Sequence, residues 1–243
     1  MKSKIPPPPR YDYVRNFLSP DEAADLFKRL KELPGFKFET GSCELEPTHS
    51  TVQFGSRQAY LDCVPMIYRV KSSGEIPVFL AVLKNRLEES YDCTFNSVQI
   101  NQHYDHNSTV HAHHDSNPGH IGMISVGAER DFCLHYQRPW HKEFARIKLA
   151  NGSLLTFLPK EQWKMKHRMP KSEKPCGIRF SVIFRYIPVI LTQTMPKNAA
   201  SAKEKRRIAA ERNAEYEAAQ KDGREKRRLA KIDKDRAGKL FKK

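Results

Sequence analysis

The sequence predicts an α+β protein: a double-stranded β-helix, or jelly-roll, core with N-terminal covering helices and a basic C-terminal helical or disordered tail. Three observations lead there. Helical patterning lies ahead of Phe95, short β-branched and aromatic runs separated by turn residues follow it, and beyond Pro196 the chain is rich in Ala, Lys, Arg and Glu. With 243 residues, 39 % hydrophobic, and a mean hydropathy of −0.69, the chain can bury one sizeable core. The expected organisation is a Pro-rich leader over 1–10, one domain over 11–195 and a tail over 196–243.

Taken in order, Pro6-Pro7-Pro8-Pro9 fixes φ at each position and predicts a short extended polyproline segment. Ser19-Pro20-Asp21-Glu22 combines an N-cap serine, a proline at the first helical position and a glutamate placed to complete a capping box. Leu26, Phe27, Leu30 and Leu33 then recur at helical spacing, and Pro34-Gly35 ends the run. Leu80, Leu83 and Leu87 predict a second helix from Pro77 to about Ser90, packed against a sheet. Strands are expected at 95–104, 121–127, 131–137, 145–149, 153–158 and 178–187. In the tail, Ile208, Tyr216, Leu229, Ile232, Leu240 and Phe241 are too sparse for a core-facing stripe, which predicts a solvated helix or disorder.

Composition narrows the function classes. No stretch approaches the roughly 18 apolar residues of a membrane helix, and the N-terminus lacks the apolar segment of a secretory signal. Cys43, Cys63, Cys93, Cys133 and Cys176 are odd in number and contain no CxxC pair, which argues against a disulfide framework or a zinc ribbon. The expectation is a soluble intracellular monomer without a membrane partner. The net charge is +15, and residues 197–243 hold 17 Lys/Arg against 8 Asp/Glu, a balance that favours polyanions.

Six of the ten histidines fall within 103–120, an arrangement that suggests a metal. Three constructions are open. His113-His114-Asp115 is an HxD step, whose first and last side chains point the same way on an extended segment; His103-Tyr104-Asp105 offers a second. His111-Ala112-His113-His114-Asp115-Ser116 is one residue short of the HxHxDH zinc motif of metallo-β-lactamase-like hydrolases, with Ser116 in place of the last histidine.

The end of the domain decides among them. Along Ile178–Tyr186, alternation puts Arg179, Ser181, Ile183 and Arg185 on one face and Phe180, Val182 and Phe184 on the other. Two inward arginines are expensive to bury unless an anion pairs with them. A dicarboxylate co-substrate beside a two-His-one-carboxylate metal satisfies both observations, and that triad is the usual site of non-haem Fe(II) oxygenases. Of the histidines between the HxD step and the arginine strand, His120, His135, His141 and His167, the last is best placed, shortly before the strand that should neighbour it.

An HxD step, a later His and an RxxxxxR pair twelve residues beyond it resemble the AlkB family of Fe(II)/2-oxoglutarate dioxygenases. Supporting pieces are Asn16–Ala23, Asn96–Asn101, Ile124–Phe132 and Asn151–Leu155, and the similarity spans roughly 11–190. The resemblance implies that His113, Asp115 and His167 hold Fe(II), that Arg179 pairs with the distal carboxylate of 2-oxoglutarate, and that Arg185 steadies Asp115 near the metal. It also implies oxidative decarboxylation to succinate and CO₂ with O₂ as oxidant, and hydroxylation of an N-methyl group that leaves as formaldehyde.

Three departures from the family pattern carry expectations. The Asn-x-Tyr pair that touches 2-oxoglutarate appears as Asn101-Gln102-His103-Tyr104, so a gapless reading puts His103 at the tyrosine's place and a one-residue bulge is needed to bring Tyr104 there beside Asn101. Ser181 stands where several members have Asn. Asn117 replaces an acidic residue that helps read the extruded base. Upstream, Arg57-Gln58-Ala59-Tyr60-Leu61 resembles the family's nucleotide-recognition lid, with Arg57 and Tyr60 as substrate contacts. The implied partner is DNA or RNA bearing N-alkylated bases. Alternatives are a protein or other non-nucleic-acid substrate on the same fold, or the zinc hydrolase built on His111, His113 and Asp115. Two basic clusters in the tail, Lys203–Arg207 and Arg224–Arg228, are expected to bind phosphates, to serve nuclear import in a eukaryote, or simply to be solvated; if they bind phosphates, removing 197–243 should weaken nucleic-acid affinity and leave Fe(II) and 2-oxoglutarate binding intact.

Overall fold

The computed structural model describes residues 6–38, 50–55, 74–115, 119–137, 142–188 and 202–240. Two antiparallel sheets form the core. The larger has seven strands: β1 (Tyr11–Val14), β2 (Lys37–Phe38), β3 (Ser50–Gly55), β4 (Ser97–His103), β6 (Ile121–Gly127), β9 (Ser153–Phe157) and β11 (Arg179–Arg185), in the order β1-β9-β6-β11-β4-β3-β2. The smaller has β5 (Val110–His113), β10 (Met165–Met169), β7 (Arg130–Tyr136) and β8 (Glu143–Leu149), in that order.

Strand alternation builds two apolar layers. Val98, Ile100, Phe180, Val182 and Phe184 face helices α1 (Pro20–Glu32) and α2 (Val78–Tyr91), which bury Leu26, Leu30, Leu80 and Leu87 against them. Ile121, Met123, Leu155, Phe157 and Ile183 face the other way and meet Phe132, Leu134, Leu149 and Met165 of the smaller sheet. Every second residue of β11 is thus core to the helices, and its alternates look into the space between the sheets. Gly127, at φ 94°, ends β6 where a Cβ would lie 2.4 Å from the Ile178 carbonyl oxygen, so only glycine fits that turn.

Helix α1 starts as its sequence dictates. Glu22 N–H donates to Ser19 Oγ at 3.2 Å, and the Ser19 N–H donates to Glu22 Oε2 at 2.7 Å, a closed capping box. Ser19→Ala is expected to cost about 1 kcal/mol, seen as a lower urea midpoint at unchanged m value.

Three features depart from the expectations. The chain enters through β1, which pairs with β9 from Tyr11↔Phe157 to Val14↔Leu154. His167 lies on a strand, β10, whose alternation of Met165, His167 and Met169 inward with Lys166 and Arg168 outward is diluted by charge. The tail is a 39-residue helix, α3 (Ala202–Leu240), and it is docked rather than solvated. Gln220 is buried against Thr94, accepting its N–H at 2.7 Å and donating to its carbonyl oxygen at 3.2 Å. Arg224 and Arg227 reach Asp92 at 3.0 and 2.9 Å, and Gly223 sits so close to Thr94 that a Cβ would lie 2.0 Å from its Oγ1. Polar and small residues make this contact, so hydropathy patterning carries no trace of it. Among the described residues, no helix is long and apolar enough to cross a membrane.

Candidate active site

Between the sheets lies a cavity of about 370 Å³, lined by β4, β5, β6, β10 and β11. Residues His113, Asp115 and His167 offer ligand atoms within 4.8 Å of one another on its wall. Antiparallel pairing brings them together: His113 of β5 is the register partner of His167 on β10, and their rings meet edge-on at 4.3 Å. The Nε2 of His167 lies 3.8 Å from Asp115 Oδ2. A first-row divalent ion with bonds of about 2.1 Å needs donor atoms roughly 3–4 Å apart, so the set accommodates one.

The donors are in the state a metal requires. His113 Nδ1 lies 2.7 Å from the His111 carbonyl oxygen, which only accepts, so Nδ1 carries a proton and Nε2 is the nitrogen left for a metal. His167 rests against both Phe132 and Phe157, with ring centroids at 5.4 and 5.5 Å. Burial, and then the neighbouring His113, push its imidazole down to about 3, leaving it neutral. Burial raises the Asp115 carboxyl, but the Arg185 guanidinium, at 3.5 Å, leads the opposing charges that hold it down to about 2. The acid is therefore ionised.

Arg179 lines the same cavity, and among the described residues no carboxylate pairs with it. Its guanidinium donates to Ser181 Oγ, to Ser125 Oγ at 2.8 Å and to Met169 Sδ at 3.8 Å, while Nε is buried without a partner. Burial and the nearby Arg130 push it down to about 9. Arg130 is a useful contrast. Also buried, it donates to four carbonyl oxygens, those of Asp105, His106, Ser108 and Pro170, and pins the β4–β5 loop to the end of β10. Four carbonyls meet the terminal nitrogens of Arg130, although its Nε too is without a partner, whereas those of Arg179 meet two hydroxyls and a thioether beside the open cavity, surroundings that can take an anion.

The other expected residues divide. Asn101 lines the cavity, its Oδ1 accepting from Thr51 Oγ1 at 3.1 Å and Gln99 Nε2 at 2.9 Å. Tyr104 does not line it. The register between β4 and β11 runs unbroken from Ser97↔Arg185 to His103↔Arg179, so no bulge turns Tyr104 inward. His103 occupies the cavity wall instead, and the Tyr104 hydroxyl donates to Ser50 Oγ at 2.6 Å. Arg57, Tyr60 and Asn117, expected to read the substrate, lie outside the described residues. The second HxD step is closed off, because Asp105 accepts from the backbone N–H groups of Asn107 and Ser108. His111 lines the cavity mouth but is outside the ligand cluster, so the hydrolase set does not assemble. Gln99 and His114 also line the cavity and were not anticipated there; for Gln99, the shared face with Asn101 was the available signal.

Among the described residues, one other cluster, Cys133–His135–Glu143, has ligand spacing. Its donors are spoken for: Arg146 holds both Glu143 oxygens at 2.9 and 3.2 Å, and Arg168 Nε donates to His135 Nε2 at 3.0 Å.

A jelly roll holding a two-His-one-carboxylate triad beside a buried, anion-seeking arginine defines a class, and the comparisons agree: the 2OG-Fe(II) oxygenase superfamily model matches residues 11–225, and the chain belongs to that superfamily. Within it the chain is AlkB-like. It is 31 % identical over 120 residues to the human alpha-ketoglutarate-dependent dioxygenase alkB homolog 3, covering 44 % of this chain and 42 % of that one. It is 32 % identical over 123 residues to the mouse DNA oxidative demethylase ALKBH2, covering 46 % and 51 % respectively. The chain thus spans about half the length of the curated relatives it matches. The solved structure of OsALKBH1 superposes with a TM-score of 0.56 at 15 % identity, covering 75 % of this chain and all of that one, and shares the fold.

The superfamily's cofactor set is Fe(II), 2-oxoglutarate and O₂, and the residues present fit it. His113, Asp115 and His167 would hold the metal, and Arg179 supplies the buried cation that a dicarboxylate needs.

Proposed function

We propose that this chain is an Fe(II)/2-oxoglutarate-dependent oxidative demethylase of N-alkylated bases in DNA or RNA. The observation that carries the reading is the convergence of the triad and the carboxylate-free Arg179 on one cavity, in a chain similar to a DNA oxidative demethylase. When bound, Fe(II) with 2-oxoglutarate supplies the oxidation of the substrate's methyl group by O₂.

The chain's own residues bind and orient. Arg179 anchors the far carboxylate of the co-substrate through charge-assisted hydrogen bonds in a site closed by Met169 and Ile183. Arg185 keeps Asp115 ionised and aimed. Phe132 and Phe157 fix the His167 ring plane and exclude water from its rear. His111 of β5 and His114 just after it are exposed on the cavity lining, where they can meet substrate. The net charge of +15 favours a polyanionic substrate.

The test is formaldehyde release, with 2-oxoglutarate consumption, from a panel of methylated DNA and RNA oligonucleotides set against methylated peptides. Turnover on oligonucleotides is expected. Turnover confined to peptides would keep the chemistry and reject the substrate class.

A further inference from the structure

The C-terminal helix packs on segments that flank the active-site residues in sequence, at two points one turn apart. Tyr216 of α3 packs its ring onto Gly119, four residues after the ligand Asp115, so closely that a Cβ on Gly119 would lie 2.2 Å from the ring. The same ring meets Tyr186 edge-on at 5.8 Å, and Tyr186 follows Arg185, the residue paired with Asp115. The Tyr186 hydroxyl in turn donates to Glu215 of α3 at 3.3 Å. One turn back, the Arg212 guanidinium lies 5.0 Å over the ring of Trp163, in the 3₁₀ turn Gln162–Lys164 that leads directly into β10 and His167.

Those two points are themselves joined. Gln162, buried, donates through Nε2 to the Gly119 carbonyl oxygen at 3.2 Å, linking the segment after Asp115 to the turn before His167. Arg212 and Tyr216 therefore grip the two sides of a bridge between the segment that follows Asp115 and the turn that enters β10, a link additional to the β5–β10 pairing that joins His113 to His167. The exposed side of α3 is occupied differently: Arg207 with Glu211, Lys226 with Asp222 and Arg228 with Glu225 are ion pairs within the helix. That internal pairing weakens the field a phosphate-docking role would need.

We propose that α3 is part of the scaffold of the metal centre, with Tyr216, assisted by Arg212, a positioning residue that sets Asp115 and Arg185 relative to His167. This rests on the triad as a metal site and is independent of the substrate. It reverses the expectation that removing 197–243 leaves metal and co-substrate binding intact.

The experiment is anaerobic titration of full-length protein with Mn(II), a stand-in that reports ligand geometry without turnover, alongside thermal unfolding of the metal-free protein. Tyr216→Ala is expected to weaken Mn(II) binding about tenfold, and Tyr216→Phe, which keeps the ring, to return it to within about twofold of wild type. Arg228→Ala, on the exposed side, should leave it unchanged. A helix that merely adds stability would lower the unfolding temperature in Tyr216→Ala and leave Mn(II) affinity where it was; that result overturns the proposal. If Tyr216→Ala does not fold, Arg212→Ala decides: weakened Mn(II) binding supports the proposal, and wild-type binding overturns it. Wild-type protein that binds no Mn(II) would overturn both this inference and the metal site it rests on.

Discussion

Alanine at His113, Asp115 or His167 is expected to abolish 2-oxoglutarate turnover and to weaken metal binding by more than about 100-fold, beyond the loss usual for residues that only support a ligand. The three replacements should differ in stability. Asp115→Ala strands the largely buried Arg185, whose carboxylate lies 3.5 Å away, and breaking such a pair costs about 3 kcal/mol or more. His113 is exposed at the cavity mouth and its loss should be nearly neutral for folding. His167→Ala opens a hole beside Phe132 and Phe157, so its unfolding temperature should fall without any metal present. Anaerobic metal titration and thermal unfolding of each variant read the two effects separately. Full activity in any of the three would move the metal elsewhere. His103→Ala is the companion control, because its HxD partner Asp105 is engaged in a turn and should not bind metal.

Replacing Arg179 should separate function from stability still more clearly. Arg179→Met removes the buried cation that would meet the co-substrate, and loss of one partner of a buried charge pair raises the 2-oxoglutarate requirement about 100-fold or more. Arg179→Lys should recover part of it, since an ammonium restores charge without the planar fork. In the protein without co-substrate the sign is opposite. There Arg179 is an uncompensated buried charge with an unpartnered Nε, so Arg179→Met should leave the unfolding temperature unchanged or raise it. A residue that stabilises the fold would show the reverse. Unchanged dependence on 2-oxoglutarate in Arg179→Met would remove the main physical argument for a dicarboxylate in this cavity.

Much of the site was legible because strand alternation is a local rule. The two faces of Arg179–Arg185 follow from period two alone, and the structure puts Arg179, Ser181, Ile183 and Arg185 in the cavity with Phe180, Val182 and Phe184 in the core. The HxD step is equally local. The helix start at Ser19 was legible because a capping box lies within four residues. Where the reading failed, the deciding partner was distant. Tyr104 was expected inward through a bulge, and the unbroken pairing of β4 with β11 across some eighty residues of chain kept His103 there instead. The strand that carries His167 escaped notice because Lys166 and Arg168 dilute its apolar face, although Met165, His167 and Met169 mark the alternation.

By itself, then, the sequence determined the jelly-roll class, the ligand types and the face of β11 that seeks an anion, since each depends on residues within a few positions of one another. Only the tertiary structure decided which HxD step meets His167, because that choice depends on β5 pairing with β10. It alone joined the C-terminal helix to the site. That contact runs through Gln220, Gly223, Arg212 and Tyr216, residues with no shared apolar period. Hydrogen bonds, a glycine's close approach and a guanidinium over an indole depend on what stands opposite, and nothing along the chain encodes that.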